Sequence, residues 1–395
     1  MKVAVLSSAS GGGAGIAAYR IYEAIKRHQS DKCEVDFIDM QTMGRVADHV
    51  SMPGSATNGT ISNTHYTTDF ASEVRDYVIK TLMKYDVLNI QWSSYLLTIA
   101  EIYELAKSGK RIVFTLHDFY YFTGGCHYPS TCKQYLNSCK MCPQVDTSMM
   151  SQRDVEAAHD LKRKIFSFEN VILTAPSEYI VNKAIAANIV PKERGVTIRN
   201  AYEPVEGKER KQNEDGRIHV LVIADSFYEI RKQLQLAIDG FKVLAESNPS
   251  KVSDFVIHLV GRLDKEVLNQ LKPYGYKVIN HGHKSNHEDI VDVYCQVDYL
   301  LTPSLDDNWP NILVESSAYG VVPIVGPGHG CEELVKLFEK GFIFNSYIAN
   351  EVSELLANVG PAESSSVTFI KSSRKIHDGI EVSDQYLKIF GLKNE

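Results

Sequence analysis

Short apolar runs alternate with helical stretches along almost the whole chain, and few architectures accept that rhythm. The first run is "KVAVLSS" (2–8), followed by a turn holding Gly11, Gly12, Gly13 and Gly15. An amphipathic helix, "GIAAYRIYEAIKRH" (15–28), comes next, with Ala17, Ile21, Ala24 and Ile25 at helical spacing, and then a second strand, "CEVDFIDM" (33–40). The chain therefore opens as a βαβ unit. Further strands are predicted at 86–92, 111–118, 170–177 and 195–202. Runs this uniformly apolar suit a parallel sheet covered on both faces, with functional loops at its carboxyl edge.

A second series follows. Strands are predicted at 218–225, 254–261, 276–283, 298–304 and 321–326, with helices at 231–247, at 287–295 and from Pro310 to Gly320. The charged stretch 205–216 between the two series reads as a linker. Two Rossmann-like α/β domains result: residues 1–204 with a cysteine-rich insertion near 124–144, and residues 217–380. A last helix over 382–392, in a segment 381–395, is expected to return toward the first domain. A length of 395 residues suits two domains, and 44% hydrophobic with 23% charged residues is ordinary globular composition. The formal net charge of −7 argues against a broad nucleic-acid-binding face. No apolar run reaches the roughly 18 residues of a membrane span. The start lacks a signal-peptide core. A cytoplasmic protein is predicted, working at the inner face of the membrane if its acceptor is lipid-linked.

Several local patterns carry chemistry. "DDNWPNILVE" (306–315) places Pro310 where a helix can start, with Asn308 as a cap. Strand, loop and helix start together offer backbone N–H groups to an anion. Asp307 sits at the mouth of that site, and Glu315 lies inside an apolar helix, where a carboxylate needs a hydrogen-bonding partner. The partner could be a ligand rich in hydroxyls or the protein itself. Arg231 and Lys232 open a predicted helix, where cations oppose the dipole unless they share a phosphate. The glycines of "VGPGHGCEELV", among them Gly330, form a second candidate phosphate loop. His117 and Asp118 stand just past a strand end. The first glycine loop matches the dinucleotide fingerprint only in part, which weakens a dehydrogenase reading. Cys126, Cys132, Cys139 and Cys142 are spaced C-x5-C-x6-C-x2-C, and His127 adjoins the first. Structural zinc, free thiols and disulfides all remain open for that cluster.

Taken together and in order, "GGGAGIAAYRIYEAI", "TLHDFYYFTGGCHY…C…C..CPQ", "APSEYIV", "RNAY", "IRKQL", "HGHKSNHEDIVDVY", "PSLDDNWPNILVESSAYGVVPIVG" and "GHGCEELV" resemble the retaining glycosyltransferases of family 4. The cysteine block looks like their bacterial exopolysaccharide and capsule branch. The resemblance spans nearly the whole chain. It implies a GT-B fold, two Rossmann-like domains whose parallel sheets face each other across a cleft. It implies transfer of a hexose from a UDP- or GDP-sugar to a glycan or lipid-linked acceptor, with retained anomeric configuration and no metal at the diphosphate. In the family's E-x7-E pattern Asp307 stands at the first acid and Glu315 at the second. Glu315 would bind the ribose, while Asp307, Asn308 and Trp309 would hold the donor sugar. Asn311 and Ile312 would offer N–H groups. Lys232, helped by Arg231, would neutralise the leaving diphosphate. Gly12 and Gly13 would approach the phosphates or the acceptor, His117 the donor sugar, and Asn200 and Gly330 would complete the donor site. Departures from the family pattern are Asp307 for Glu, Gln91 for a common His, His329 within a usual Gly-Gly pair, and Gln233 for Gly. They bear on donor identity more than on reaction class. Competing readings are transfer to a nucleic-acid or other non-glycan acceptor, a sugar-nucleotide epimerase, and a non-catalytic zinc-binding scaffold.

Overall fold

A computed structural model describes residues 1–44, 74–145, 151–211, 213–226, 229–263, 265–362 and 367–392. The Gly/Ser/Thr/Asn-rich segment 51–68, expected to shape an acceptor site, lies outside the described residues. The chain divides into two compact units, Met1–Ala201 with His377–Glu395, and Tyr202–Ile376.

In the first unit the strands are β1 (Lys2–Ser7), β2 (Glu34–Ile38), β3 (Val87–Trp92), β4 (Arg111–Thr115), β5 (Val171–Ala175) and β6 (Gly195–Thr197). They form one sheet in the order β2-β1-β3-β4-β5-β6, and every pairing is parallel. Helices α1 (Gly12–His28), α2 (Asp76–Leu82), α3 (Ile99–Lys107), α4 (Gln152–Ser167) and α5 (Glu178–Ala186) cover it. Helix α1 begins three residues earlier than its periodicity suggests. Gly12 takes φ +71°, a conformation that favours glycine, and a Cβ on Gly15 would meet the Ala9 carbonyl oxygen at 2.5 Å.

The second unit holds α6 (Leu234–Ser247), α7 (Lys265–Leu271), α8 (His287–Tyr294), α9 (Asn311–Ser317), α10 (Gly330–Phe338), α11 (Ala349–Asn358) and α12 (Val367–Ile376). Its strands are β7 (Ile218–Ser226), β8 (Phe255–Arg262), β9 (Lys277–Gly282), β10 (Tyr299–Thr302), β11 (Val322–Val325) and β12 (Phe342–Ile343). Their order, β12-β11-β10-β7-β8-β9, is again wholly parallel. It is the doubly wound order, whose direction reverses between β7 and β10. Both units are thus Rossmann-like, as the alternating runs predicted. The charged stretch at 205–216 is fastened to the second unit. Arg210 Nη1 lies 2.7 Å from Asp298 Oδ1, with both side chains almost sealed from solvent.

The last helix, α13 (Gly379–Phe390), packs on α1, and its Val382, Tyr386, Leu387 and Phe390 join Val3, Ile21, Ile25 and Val113 in one apolar cluster. Asp378 caps it, accepting from the Ile380 and Glu381 N–H groups.

Across β7, β8 and β9 runs a line of three imidazoles. His219 Nδ1 lies 2.8 Å from His258 Nε2, and His258 Nδ1 lies 2.9 Å from His281 Nε2. Burial, and then the neighbouring imidazoles and Lys277, push His258 down to about 3, and burial also lowers His281. The folded chain holds His258 and His281 neutral to lower pH than the unfolded chain, which takes up protons below the ordinary histidine value. Stability from this source is complete above about pH 6.5 and falls as the pH drops toward 3. The unfolding midpoint should fall from pH 7 to pH 5, and less so in His258→Gln. Equal falls in the two proteins would show that the line does not govern acid sensitivity.

Candidate active site

The reversal point of the second sheet brings together the loops after β7 and β10, the crevice where open α/β sheets bind ligands. The first loop ends in a 3₁₀ turn, Ile230–Lys232, and Gln233 then turns left-handed (φ 50°) before α6 begins at Leu234. Arg231 and Lys232 therefore precede the helix and do not open it, contrary to expectation. The second loop carries Asp307. Lys232 Nζ donates to Asp307 Oδ2 at 2.5 Å, and Arg231 Nη1 lies 3.3 Å from the same oxygen. Arg231 also donates to the Asp306 carbonyl at 2.8 Å and pairs with Glu229. The Leu305 N–H donates to the Arg231 carbonyl at 2.8 Å, tying the loops together along the backbone.

Burial alone would raise the Asp307 carboxyl. Lys232 and Arg231 overcome it and hold the group down to about 2. Two cations thus meet one buried carboxylate. With Glu229 on Arg231 the two cations are balanced by two carboxylates, and these protein partners explain the placement of the cations without a bound phosphate.

Pro310 is the N-cap of α9 (ψ 124°), and Asn311 is its first residue. Asn308 lies two residues before the cap, so the expected cap at Asn308 does not form. The extended ψ of Pro310 postpones the helix by one residue. Trp309 is buried in the apolar cluster beneath the loop, with Leu313 and Val314. Its ring anchors the loop. Glu315 is 5% exposed and accepts from the Tyr294 hydroxyl at 3.1 Å, with His287 Nδ1 3.9 Å away. The carboxylate in the apolar helix therefore has protein partners. Asn311 and Ile312 are half-buried at the helix start.

Gly330 opens α10, and a Cβ there would sit 1.4 Å from the Asn308 carbonyl oxygen. Its N–H donates to the Asp307 carbonyl at 3.0 Å. The Cys331 N–H is capped by His329 Nδ1, and the Gly328 N–H by Glu332. The amides of this glycine loop are engaged inside the protein, so it braces the Asp307 loop. His329 Nε2 in turn meets the Tyr347 hydroxyl at 2.8 Å.

In the first unit, His117 and Asp118 follow β4 at the carboxyl edge of the sheet. His117 Nε2 lies 2.8 Å from Gln91 Oε1. Burial lowers the imidazole to about 4, against a smaller upward pull from Asp118. Asp118 Oδ2 meets His127 Nδ1 at 2.7 Å and its Oδ1 accepts from the Tyr120 N–H at 2.8 Å. Burial opposes the Asp118 charge, but His127 and the Tyr120 N–H lower its carboxyl overall. The buried Lys162 braces this loop from α4, donating to the Tyr120 and Thr123 carbonyls at 2.7 and 3.1 Å and lying 3.6 Å from the centre of the Tyr120 ring. Gly12 and Gly13 are exposed at the start of α1, where no side chain caps Gly11, and Asn200 is buried after β6.

The four clustered cysteines line one cavity with Gly124, Pro129 and Gln144. Zinc is not supported there. Among the described residues no group of three or more His, Cys, Asp or Glu is placed to hold a metal ion, and none of the seven cysteines is in a disulfide. The Gly124 and Gln134 N–H groups donate to the Cys139 and Cys132 sulfurs, and His127, the alternative ligand, is committed to Asp118. Burial raises the Cys126 thiol well above its ordinary value and Cys139 to about 12, which keeps both protonated. Among the described residues no helix is long and apolar enough to cross a membrane.

Sequence reasoning missed the partners: Glu229 on Arg231, Tyr294 and His287 on Glu315, Tyr347 on His329, and Lys162 under the His117 loop. Glu229, Tyr347 and Lys162 belong to no motif, while His287 and Tyr294 lie in "HGHKSNHEDIVDVY" without a role having been read for them.

Residues 206–375 match the family model described as "Glycosyl transferases group 1". Over 332 residues the chain is 20% identical to the "Putative colanic acid biosynthesis glycosyl transferase WcaC" of Escherichia coli (strain K12), covering 78% of this chain and 76% of that one. Among solved structures it is similar to Anabaena Alr3699/HepE in complex with UDP and glucose (TM-score 0.61, 16% identity, 98% of both chains). It is also similar to the trehalose-6-phosphate synthase OtsA (TM-score 0.62, 11% identity, 100% of both chains). At these identities the structural likeness establishes the fold, two Rossmann-like domains of GT-B type.

Proposed function

We propose that the protein is a glycosyltransferase that moves a hexose from a nucleoside-diphosphate sugar, with UDP the favoured nucleotide, to a glycan or lipid-linked acceptor in polysaccharide synthesis. The observation that carries this reading is the charge cluster at the reversal point of the second sheet. Lys232 and Arg231 converge on one buried point beside the start of α9.

Departure of a nucleoside diphosphate places negative charge on the β-phosphate. Fixed cations stabilise that charge where it appears, and they need not reorganise during the reaction. Asp307 keeps both cations oriented until the diphosphate shares them. Glu315, already aligned by Tyr294, takes ribose hydroxyls. The Asn308 and Asn311 region, held in place by buried Trp309 and by Gly330, surrounds the sugar, with the start of α9 at Asn311 and Ile312 facing it. His117 takes a sugar hydroxyl at the edge of the first sheet, and Gly12 and Gly13 let a ligand approach the backbone there. Transfer proceeds with retention, as the family resemblance implies, so no general base is assigned. The matches to a glycosyltransferase family model over the second unit and to a colanic acid transferase support the substrate class.

A thermal-shift titration of purified protein tests the donor. UDP and its sugar conjugates are expected to raise the unfolding midpoint progressively above their Kd, and GDP and ADP to do so less. A preference for GDP would reassign the nucleotide. No shift with any nucleotide in a folded sample would end the transferase reading.

A further inference from the structure

Asn89, Gln91 and His117 form a line of side-chain hydrogen bonds whose direction can be read from one end. A backbone carbonyl only accepts. Asn89 Nδ2 lies 3.0 Å from the Val113 carbonyl, so Asn89 Oδ1 is turned the other way. Gln91 Nε2 donates to that Oδ1 across 2.6 Å. Gln91 Oε1 is then the atom 2.8 Å from His117 Nε2, and an acceptor there requires the proton on Nε2. Turning either amide over would set like against like in the interior, where Asn89 is 0% and Gln91 1% exposed.

Helix α13 closes the arrangement. The Tyr386 hydroxyl bonds with Gln91 and lies 3.0 Å from Thr115 Oγ1, which also accepts from Asn89 Nδ2 at 3.0 Å. Every polar atom that could reorient Gln91 is thereby held. On the other side of the imidazole, His117 Nδ1 makes no hydrogen bond among the described residues, and it is not sealed from solvent.

We propose that Asn89, Gln91 and Tyr386 are positioning residues that hold His117 as the neutral Nε2–H tautomer, so that Nδ1 presents a fixed lone pair to an uncharged hydroxyl of a sugar. The ligand half rests on the function proposed above; the tautomer half does not. A lone pair accepts from O–H and repels a carboxylate or phosphate oxygen. The arrangement therefore selects a neutral sugar at this position over a uronic acid or a phosphosugar. The low basicity that burial imposes on His117 acts in the same direction.

The test uses the full chain with ring-¹⁵N-labelled histidines and no ligand. Long-range ¹H–¹⁵N correlations report which ring nitrogen carries the proton, and His117 is identified by the signals lost in His117→Gln. The wild type is expected to show a protonated Nε2 and a bare Nδ1 from pH 7.5 to 5.5. Gln91→Leu should raise the Nδ1–H share at least fivefold. Gln91→Glu, which keeps the side-chain volume and sets a carboxylate beside the imidazole, should move the His117 titration up by more than one pH unit, and it decides the matter if Gln91→Leu does not fold. An Nδ1–H tautomer in the wild type, or a wild-type pattern in both variants, would overturn the positioning role. Gln91→Leu with a scrambled tautomer but undiminished sugar transfer would overturn the ligand half. If the wild type turned over no sugar nucleotide, the proposed function would fail while the tautomer result stood.

Discussion

Lys232→Ala is expected to lower turnover by more than tenfold, with the loss in kcat larger than any rise in KM. One preorganised charge at a developing anion is worth roughly 3 kcal/mol, and Lys232 is the closer of the two cations that meet Asp307, at 2.5 Å against 3.3 Å for Arg231. The same substitution leaves the Asp307 carboxylate, 8% exposed, with Arg231 as its remaining cation. Removing one partner of a buried pair is costly in itself. The thermal midpoint must therefore be measured beside the rate. Lys232→Ala/Asp307→Asn separates the two effects, because it restores charge balance without restoring the cation. A double variant that is folded and still slow places the loss in the chemical step. Near-normal turnover in folded Lys232→Ala would remove this residue from the mechanism.

Glu315→Ala is expected to weaken donor binding by at least tenfold. Hydrogen bonds from hydroxyls to a carboxylate are worth about 1.5–3 kcal/mol, and each 1.4 kcal/mol is a factor of ten. The truncation also strips the Tyr294 hydroxyl of its 3.1 Å acceptor. Glu315→Gln keeps an oxygen for Tyr294 and removes the charge. Calorimetric titration with the favoured nucleotide should rank wild type above Glu315→Gln and Glu315→Ala last. Unchanged donor affinity in Glu315→Ala would withdraw the ribose role.

The fold was legible because its strands are short and uniformly apolar. "VAVL" and "VPIV" have no solvent face, and a strand buried on both faces belongs in a parallel sheet. Where the reading slipped, backbone conformation answers to distant contacts. The predicted helix over 231–247 breaks at Gln233, where the two cations are drawn toward Asp307. Asn308 does not cap α9, because the extended ψ of Pro310 delays the helix start to Asn311. Helices α2, α3, α4, α5, α7, α11 and α12 were not predicted at all. At the site, Asp307, Lys232 and Glu315 drew notice as charges in apolar or helical surroundings. The polar line through Asn89, Gln91 and Thr115 escaped, since a buried hydrogen-bonded residue within a strand leaves no periodic trace. Zinc is not supported for the four cysteines, although their spacing does bring them to one cavity.

The return of α13 also sets a schedule for synthesis. Its Tyr386, Leu387 and Phe390 complete the cluster around Val3, Ile21 and Val113, yet the ribosome makes them only after the second unit. The whole of Tyr202–Ile376 emerges in between as a contiguous unit. At bacterial and eukaryotic elongation rates that interval is roughly 10 to 35 seconds. Throughout it, the nascent first unit stands with an apolar groove uncovered and Thr115 without its tyrosine. Vectorial synthesis thus separates the two parts of one apolar cluster in time, and gives chaperones a defined surface to guard until α13 emerges.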